Sequence, residues 1–522
     1  MLDIDRMPHI ADIPRIQAGT RPDDVAFVFK AQTTRFFELE QRANQVANGL
    51  TELGVAPDTR VGYLAGNTAA YYEMMFGAAK IRAVMTAVNT RLAAPEIEFI
   101  LSDARASVLF VSAPFYGLID SILDKLPTLT TIVAMDNPHR DWPTYETWRN
   151  DQASTAPDIE TFDEDDVIQL YTSGTTGLPK GVMLTNGNYL DFMRQAAQLE
   201  WSSYDAEDAV MNAMPLFHVA GVNVGILSTA QGSKTVVLPE IDPGEILRLI
   251  EDHKIAHAFW VPAVILMLTQ HPKFAETDFS SLKQVFYGAS PIAEDLLKTA
   301  MAQMNARFTQ LYGLTETVGA ATYLPPEAHD PARQKLRSCG VAWPDIDVRC
   351  VDEQGQDVKQ GDVGEIIIKS RLVMKGYWNR PEATSDAIRE GYFYTGDAGY
   401  FDEDKYLYIF DRVKDMIVSG GENVYPAEVE NAIFGHPDVA DVAVIGVPDD
   451  KWGEAVKALI VAKPGANPDA EDVIAWARER IAAYKCPKSV DIIDDMPRNP
   501  SGKILRKDLR EPFWKGHNRR VG

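Results

Sequence analysis

Over the first 310 residues, short runs rich in β-branched and aromatic side chains alternate with longer stretches of helical period. The short runs include Arg60–Leu64, Ser107–Val111, Thr131–Ala134, Val167–Tyr171, Thr235–Leu238, Ala258–Val261 and Gln284–Tyr287. Between the early ones, Glu38–Leu53 and Thr68–Ile81 repeat their apolar positions at helical spacing. This alternation predicts layered α/β structure with parallel sheets, whose sites open at the carboxyl ends of the strands. Beyond about residue 335 the chain becomes strand-rich, with hairpin signals at Asp352–Gln356 and Gln360–Glu365. After Phe410 a polar segment, Asp411–Asp415, leads into Ser419-Gly420-Gly421. A helix over Pro426–Phe434, strands over Asp441–Ile445 and Ala458–Val461, a helix over Ala470–Ile481 and a strand over Val490–Ile493 follow. The expected fold class is therefore α/β, in two parts. Residues 1–411 form a large multi-subdomain region with layered α/β sheets and a β-rich part; residues 412–522 form a small α+β C-terminal domain.

Composition narrows the classes of function. The 522 residues are 46% hydrophobic and 24% charged, an ordinary globular balance that excludes a disordered or fibrous chain. Lys and Arg total 51 against 75 Asp and Glu, a net charge of −24. Such a surface repels nucleic acid and anionic membranes, so an anionic ligand needs a locally basic site. Three scattered cysteines, Cys339, Cys350 and Cys486, are too few for a disulfide framework or zinc cluster and fit a reducing cytoplasm. The acidic start is not a signal peptide, and the uncharged runs from Ala209 and Ile255 are broken by Asn, His and Pro. A cytoplasmic protein without an integral span is expected. The basic tail from Lys503 to Arg520, with seven Lys and Arg, is the one candidate for peripheral membrane contact, although it reads first as a solvated end.

The strongest local signal is Tyr171-Thr-Ser-Gly-Thr-Thr-Gly-Leu-Pro-Lys-Gly-Val182, directly after the apolar run Val167–Leu170. Glycines let backbone N–H groups approach a phosphate, hydroxyls donate to it and Lys180 supplies charge. The spacing is not that of a Walker A loop, since Gly174 and Gly177 are three apart, and no G-x-G-x-x-G occurs. Composition alone leaves a flexible surface loop as the alternative.

This segment resembles the phosphate loop of the AMP-forming acyl-CoA synthetases, within the superfamily of adenylate-forming enzymes. Six further motifs follow in order: Pro215–Gly221 (PLFHVAG), Tyr287–Pro291 (YGASP), Gln310–Glu316 (QLYGLTE), Tyr394–Asp397 (YTGD), Asp411–Val424 (DRVKDMIVSGGENV) and Pro497–Lys503 (PRNPSGK). Asn89–Glu96, Tyr377–Thr384 and Ser419–Glu430 are closest to bacterial fatty-acid–CoA ligases.

The resemblance implies a two-step ligase using ATP, Mg2+ and coenzyme A. A carboxylate attacks the α-phosphorus of ATP to give acyl-adenylate and pyrophosphate, and the CoA thiol then displaces AMP. Nucleotide-binding positions carried over by the motifs are Thr172, Ser173, Gly174, Thr175, Thr176, Gly177 and Lys180 around the phosphates. Gly288, Ala289, Gln310, Tyr312 and Gly313 are further cofactor-binding positions, with Tyr312 implied to stack on adenine; Asp397 and Arg412 would serve the ribose. Thr315 would donate to the α-phosphate, and Glu316, with Thr176, would hold Mg2+. Lys503 would bridge carboxylate and α-phosphate, where two anions meet and a cation is the main catalytic need. Lys414 would be the hinge that swings the small domain and brings Ser419, Gly420 and Gly421 to the thiol. A homodimer is common in that family.

Seen singly, these residues have plainer readings: Asp397 a turn residue, Glu316 a helix cap, Lys503 a solvated lysine, Tyr312 core. Their joint order outweighs those readings. His218 divides between a satisfied core histidine and a catalytic group at the mouth of the acyl pocket. His253 and His257 are four apart, a spacing that grips a metal on a helix but here lacks a third ligand. Cys486 beside Lys485 reads as a structural cysteine rather than a lowered-pKa thiol.

No acidic residue occurs from Ala209 to Pro239, so an ammonium buried there would be unpaired and an amino-acid substrate is rejected. Val219, Ala220, Gly221, Gly288, Ala289 and Val318–Ala320 are expected to leave room for an apolar acid. A medium- or long-chain fatty acid is the first expectation, and an aryl acid such as ferulate, coumarate or benzoate the second. Transfer to a carrier-protein thiol and a non-catalytic nucleotide-binding protein are the remaining alternatives.

Overall fold

The structure is a computed structural model that describes residues 7, 9–172, 179–412, 417–419, 422–449, 452–498 and 504–515. Among the described residues the strands form four sheets. In the first, Arg60–Leu64 is flanked in parallel by Val84–Ala87 and Val108–Val111, with Asp166–Thr172 and Thr131–Ala134 outside them. These strands are buried on both faces, as parallel sheets covered by helices must be. Lys180–Thr185 returns antiparallel to Asp166–Thr172, and the short strand Gly376–Tyr377 closes that edge.

The second sheet holds parallel Lys234–Val237, Ala209–Asn212, Ile255–Trp260, Gln284–Gly288 and Arg307–Tyr312. One hydrophobic core joins the two sheets. It runs through Phe27, Val61, Phe110 and Phe286 and the helices Phe36–Glu52, Ala70–Lys80 and Val219–Gln231. Ala70–Lys80 is buried on every side from Tyr71 onward, so its charges need partners: Lys80 pairs with Glu40, and Glu73 with Arg42 and Arg149.

The β-rich part expected after residue 335 is an antiparallel sheet of Asp347–Val351, Gly364–Lys369, Ile388–Arg389, Tyr392–Phe401 and Leu407–Arg412. The next strand, Ile417–Ser419, belongs to the fourth sheet, with Glu422–Val424, Val439–Asp449, Gly453–Ala462 and Ser489–Ile492. That sheet has its own apolar core around Val429, Val444, Val456, Ile460 and Val473. The helix Pro426–Phe434 begins and ends where the sequence places it, with Pro426 at its first turn and Gly435 after its last. A mixed α/β fold with a small C-terminal unit is thus borne out.

Two local features differ from what spacing and residue size alone suggest. His253 ends the helix Pro243–His253, while His257 lies on the strand Ile255–Trp260. Lys254, left-handed at φ 51°, breaks the period between them, so the pair shares no helix face. His257 Nε2 instead lies 2.7 Å from Asp208 Oδ2, and among the described residues no cluster of three metal-ligating side chains occurs. Two glycines of the expected acyl wall are required by close backbone packing. A Cβ at Gly221 would collide with the carbonyl of Pro215, and one at Gly288 with the carbonyl of Leu311 on the neighbouring strand. These glycines admit backbone.

Candidate active site

The parallel strands Gln284–Gly288 and Arg307–Tyr312 end side by side, with Gly288 opposite Leu311. Past Tyr312 the chain folds onto itself: a Cβ at Gly313 would strike the backbone of Gly319 and Ala320. The loop then makes one 3-10 turn, Thr315–Thr317, ending on Val318 at φ 53°. A fully buried β-branched residue in the left-handed region is strained, and it persists because its surroundings hold it. Asn223, on the helix Val219–Gln231, donates to the Val318 carbonyl at 2.7 Å.

Around this loop the fold gathers three motifs. The Tyr312 hydroxyl donates to Asp397 Oδ2 at 2.9 Å. Burial and the Asp397 charge both push the Tyr312 phenol up, so it stays a donor. Asp397, 8% exposed, follows Gly396, whose φ of 72° makes the sharp turn. Its backbone N–H donates to Thr395 Oγ1, and Gly396 N–H donates to Glu365. Arg412 lies directly opposite Asp397 in the strand register; its side chain is outside the described part.

Glu316, 8% exposed, accepts the Tyr377 hydroxyl at 2.9 Å, and its carbonyl accepts Met374 N–H at 2.7 Å. The ammonium of Lys180 sits over the Tyr377 ring, 4.8 Å from its centre. Lys180 and Thr172 face each other at the mouth of the glycine-rich hairpin. Ser173, Gly174, Thr175, Thr176 and Gly177 lie outside the described residues, as do Lys414, Gly420, Gly421 and Lys503.

The other expected positions are placed as follows. Thr315 opens the 3-10 turn beside Glu316. Ala289 follows Gly288 in the left-handed region at φ 66°. Gln310 is buried beneath the site, its amide donating to Cys339 Sγ at 3.6 Å. Ser419 is buried on the C-terminal sheet. His218 precedes the helix Val219–Gln231; burial, with Arg91 nearby, lowers its pKa to about 4, so the ring is neutral. Its Nε2 is sealed from solvent, with no hydrogen-bond partner among the described residues. Burial also raises the Cys486 thiol, as a structural cysteine requires, while Lys485 pairs with Glu428. The roles of Asn223, Val318 and Tyr377 are not legible in the sequence, because their partners are remote in it; Tyr377 and Val318 enter there only through the Tyr377–Thr384 motif and the Val318–Ala320 wall.

Among the described residues no set of carboxylates or histidines makes a protein-only metal cage. A single buried carboxylate, Glu316, suits an ion that takes its remaining ligands from phosphates and water.

Comparison with known proteins follows the same residues. The AMP-binding enzyme profile matches residues 15–378, and that of the AMP-binding enzyme C-terminal domain matches 428–503. The chain belongs to the AMP-binding enzyme family. A fatty acid–[acyl-carrier-protein] ligase of Streptomyces coeruleorubidus is 37% identical over 99% of this chain and 100% of that one. A feruloyl-CoA synthase of Amycolatopsis is 38% identical, over 96% and 98%. Among solved structures, an anthranilate CoA ligase in complex with anthranoyl-AMP superposes with a TM-score of 0.92, at 27% identity over 98% of this chain and 99% of that one. The family read from seven motifs is borne out, and so is the class of AMP-forming acid–thiol ligase. No helix among the described residues is long and apolar enough to cross a membrane.

Proposed function

We propose that this AMP-binding enzyme joins a medium- or long-chain fatty acid to coenzyme A through an acyl-adenylate. The observation that carries the nucleotide half is the hydrogen bond from Tyr312, at the carboxyl end of its parallel strand and in the same motif as Glu316, to Asp397 on the antiparallel sheet. In this reading Asp397 accepts the ribose hydroxyls and the Tyr312 ring faces adenine. Thr315, Thr172 and Lys180 meet the phosphates, together with the loop 173–177. Glu316 would hold Mg2+, which when bound neutralises phosphate charge. Lys503 brings a cation to the attacking carboxylate and α-phosphate, and the division at 411/412 with a hinge at Lys414 lets the small domain leave before the thiol enters.

An apolar acid is supported by a neutral His218 beside Phe217, with Val219 and Ala220 opening the helix and no acidic residue from Ala209 to Pro239. The second reading is an aryl acid, favoured by the feruloyl-CoA relative and the anthranilate CoA ligase structure. The test is pyrophosphate release against carboxylates from acetate to palmitate plus benzoate, coumarate and ferulate, with and without CoA. A CoA-stimulated optimum on aliphatic chains supports the first reading and an aryl optimum the second. AMP release that needs a carrier-protein thiol instead of CoA would transfer the reaction to the class named for the Streptomyces relative.

A further inference from the structure

We infer that Tyr377 is a positioning residue for the triphosphate end of the nucleotide, acting on Glu316 through its hydroxyl and on Lys180 through its ring. The inference rests on the proposed nucleotide role of those two residues and adds what orients them.

Three segments meet at this side chain. Its strand, Gly376–Tyr377, pairs with Lys180–Thr185, placing Tyr377 opposite Val182. On either side Trp378 N–H donates to the Gly181 carbonyl at 2.7 Å, and Lys375 N–H to that of Met183 at 3.1 Å. Tyr377 N–H donates to Thr384 Oγ1 at 2.9 Å, so its backbone is held from the helix Pro381–Ala387 as well. The side chain therefore has little freedom. Its hydroxyl reaches Glu316, 61 positions away, and the Met374 N–H bond to the Glu316 carbonyl fixes the same turn from the same segment.

The two contacts are chemically separable. A phenol giving its proton to a buried carboxylate makes a charge-assisted hydrogen bond that fixes the carboxylate's orientation. The ring face attracts the Lys180 ammonium without touching Glu316. Removing only the hydroxyl takes one charge-assisted donor from Glu316 and leaves the Lys180 contact in place; removing the ring takes away both contacts.

The experiment is a double-mutant cycle on the full chain, read as ATP affinity by calorimetry at fixed Mg2+ and as KM for ATP and kcat in pyrophosphate release. Tyr377→Phe should weaken ATP binding by roughly 10- to 100-fold, the range of one charge-assisted hydrogen bond. KM for the acid should change by less than about threefold, since the hydroxyl serves only the nucleotide. In a Glu316→Gln background the same substitution should cost less than about twofold, because the charged acceptor that the hydroxyl orients is gone. Equal losses in both backgrounds, or a fall in thermal stability with unchanged ATP affinity, would overturn the inference while leaving Glu316 in its role. A Glu316→Gln enzyme with normal ATP affinity would remove that role, and the inference with it. Tyr377→Leu should add the loss seen in Lys180→Met; if it does not fold, the Tyr377→Phe cycle still decides.

Discussion

Tyr312 donates its hydroxyl to Asp397 Oδ2 across 2.9 Å, joining two motifs that lie 85 positions apart. The bond ties the aromatic ring and the carboxylate to each other through protein contacts alone. Preorganisation of this kind lowers the ordering cost of binding.

Asp397→Asn keeps a neutral acceptor for Tyr312 but loses the charge that suits a vicinal diol. Stability should change by less than about 1 kcal/mol, while ATP affinity falls roughly 10- to 100-fold. Tyr312→Phe should cost less than about tenfold in affinity. Calorimetric titration with ATP beside urea unfolding separates the two effects; unchanged affinity in Asp397→Asn would remove the ribose assignment.

Arg60 makes a different kind of prediction. It and Asp166 are each 1% exposed and meet at 2.8 Å; Arg60 Nε donates to Gln169, and the guanidinium lies 3.4 Å over the Trp378 ring. Lys375 reaches the other oxygen of Asp166 at 3.0 Å but is about half exposed. Arg60→Met leaves a buried carboxylate with only that outer partner, at a cost of roughly 3–5 kcal/mol. Lys375→Met should cost much less. Arg60→Lys should not rescue, because the planar stack and the forked donors are both lost. Urea denaturation of the three variants tests the order.

The elements that sequence predicted best are those whose pattern is local. Arg60–Leu64 and Thr131–Ala134 occupy their predicted bounds because fully buried parallel strands read as continuous apolar runs. Pro426 and Gly435 punctuate their helix unambiguously. Legibility stops where geometry depends on remote chain. Lys254 breaks a helix without being a glycine, so the spacing of His253 and His257 misleads. Gly221 and Gly288 read only as small residues, and that their Cβ directions face the carbonyls of Pro215 and Leu311 is set by remote backbone. The motif residues Tyr312, Glu316 and Asp397 were found by resemblance; that Tyr377 holds Glu316 and Asn223 holds Val318 depends on contacts no motif records.

Asn223 should therefore affect the acid more than the nucleotide. Its amide is the described partner of a strained carbonyl in the Val318–Ala320 wall, and Gly319, at φ 77°, packs beside Val219. Asn223→Ala leaves the Val318 carbonyl without that donor and should cost roughly 1–3 kcal/mol of stability. KM for the acid should rise at least tenfold while ATP affinity stays within about threefold. Equal changes in both would mean that Asn223 supports the whole loop rather than its acyl side.

The buried histidines contribute to the loss of stability in acid. His329 lies between two partners, Nδ1 at 2.9 Å from the Pro325 carbonyl and Nε2 at 3.0 Å from the Tyr287 hydroxyl. A neutral ring satisfies both, donating from Nδ1 and accepting at Nε2, whereas protonation would leave Nε2 nothing to accept with. Burial lowers its pKa from the ordinary 6.5 to about 4, and His9 and His218 are lowered to about 4 as well. The unfolded chain therefore takes up these protons first as the pH falls. Their stabilising contribution is complete above about pH 6.5 and is lost progressively toward pH 4, at about 1.4 kcal/mol per pH unit for each histidine. His329→Gln should lower stability at pH 7, where the native ring bridges its partners, yet flatten the dependence between pH 6.5 and 4 by one proton. Carboxylates titrate in both proteins, so the difference between the two urea-unfolding profiles isolates the histidine. Parallel profiles would mean that His329 takes up its proton equally in the folded and unfolded chains, so that burial does not lower its pKa.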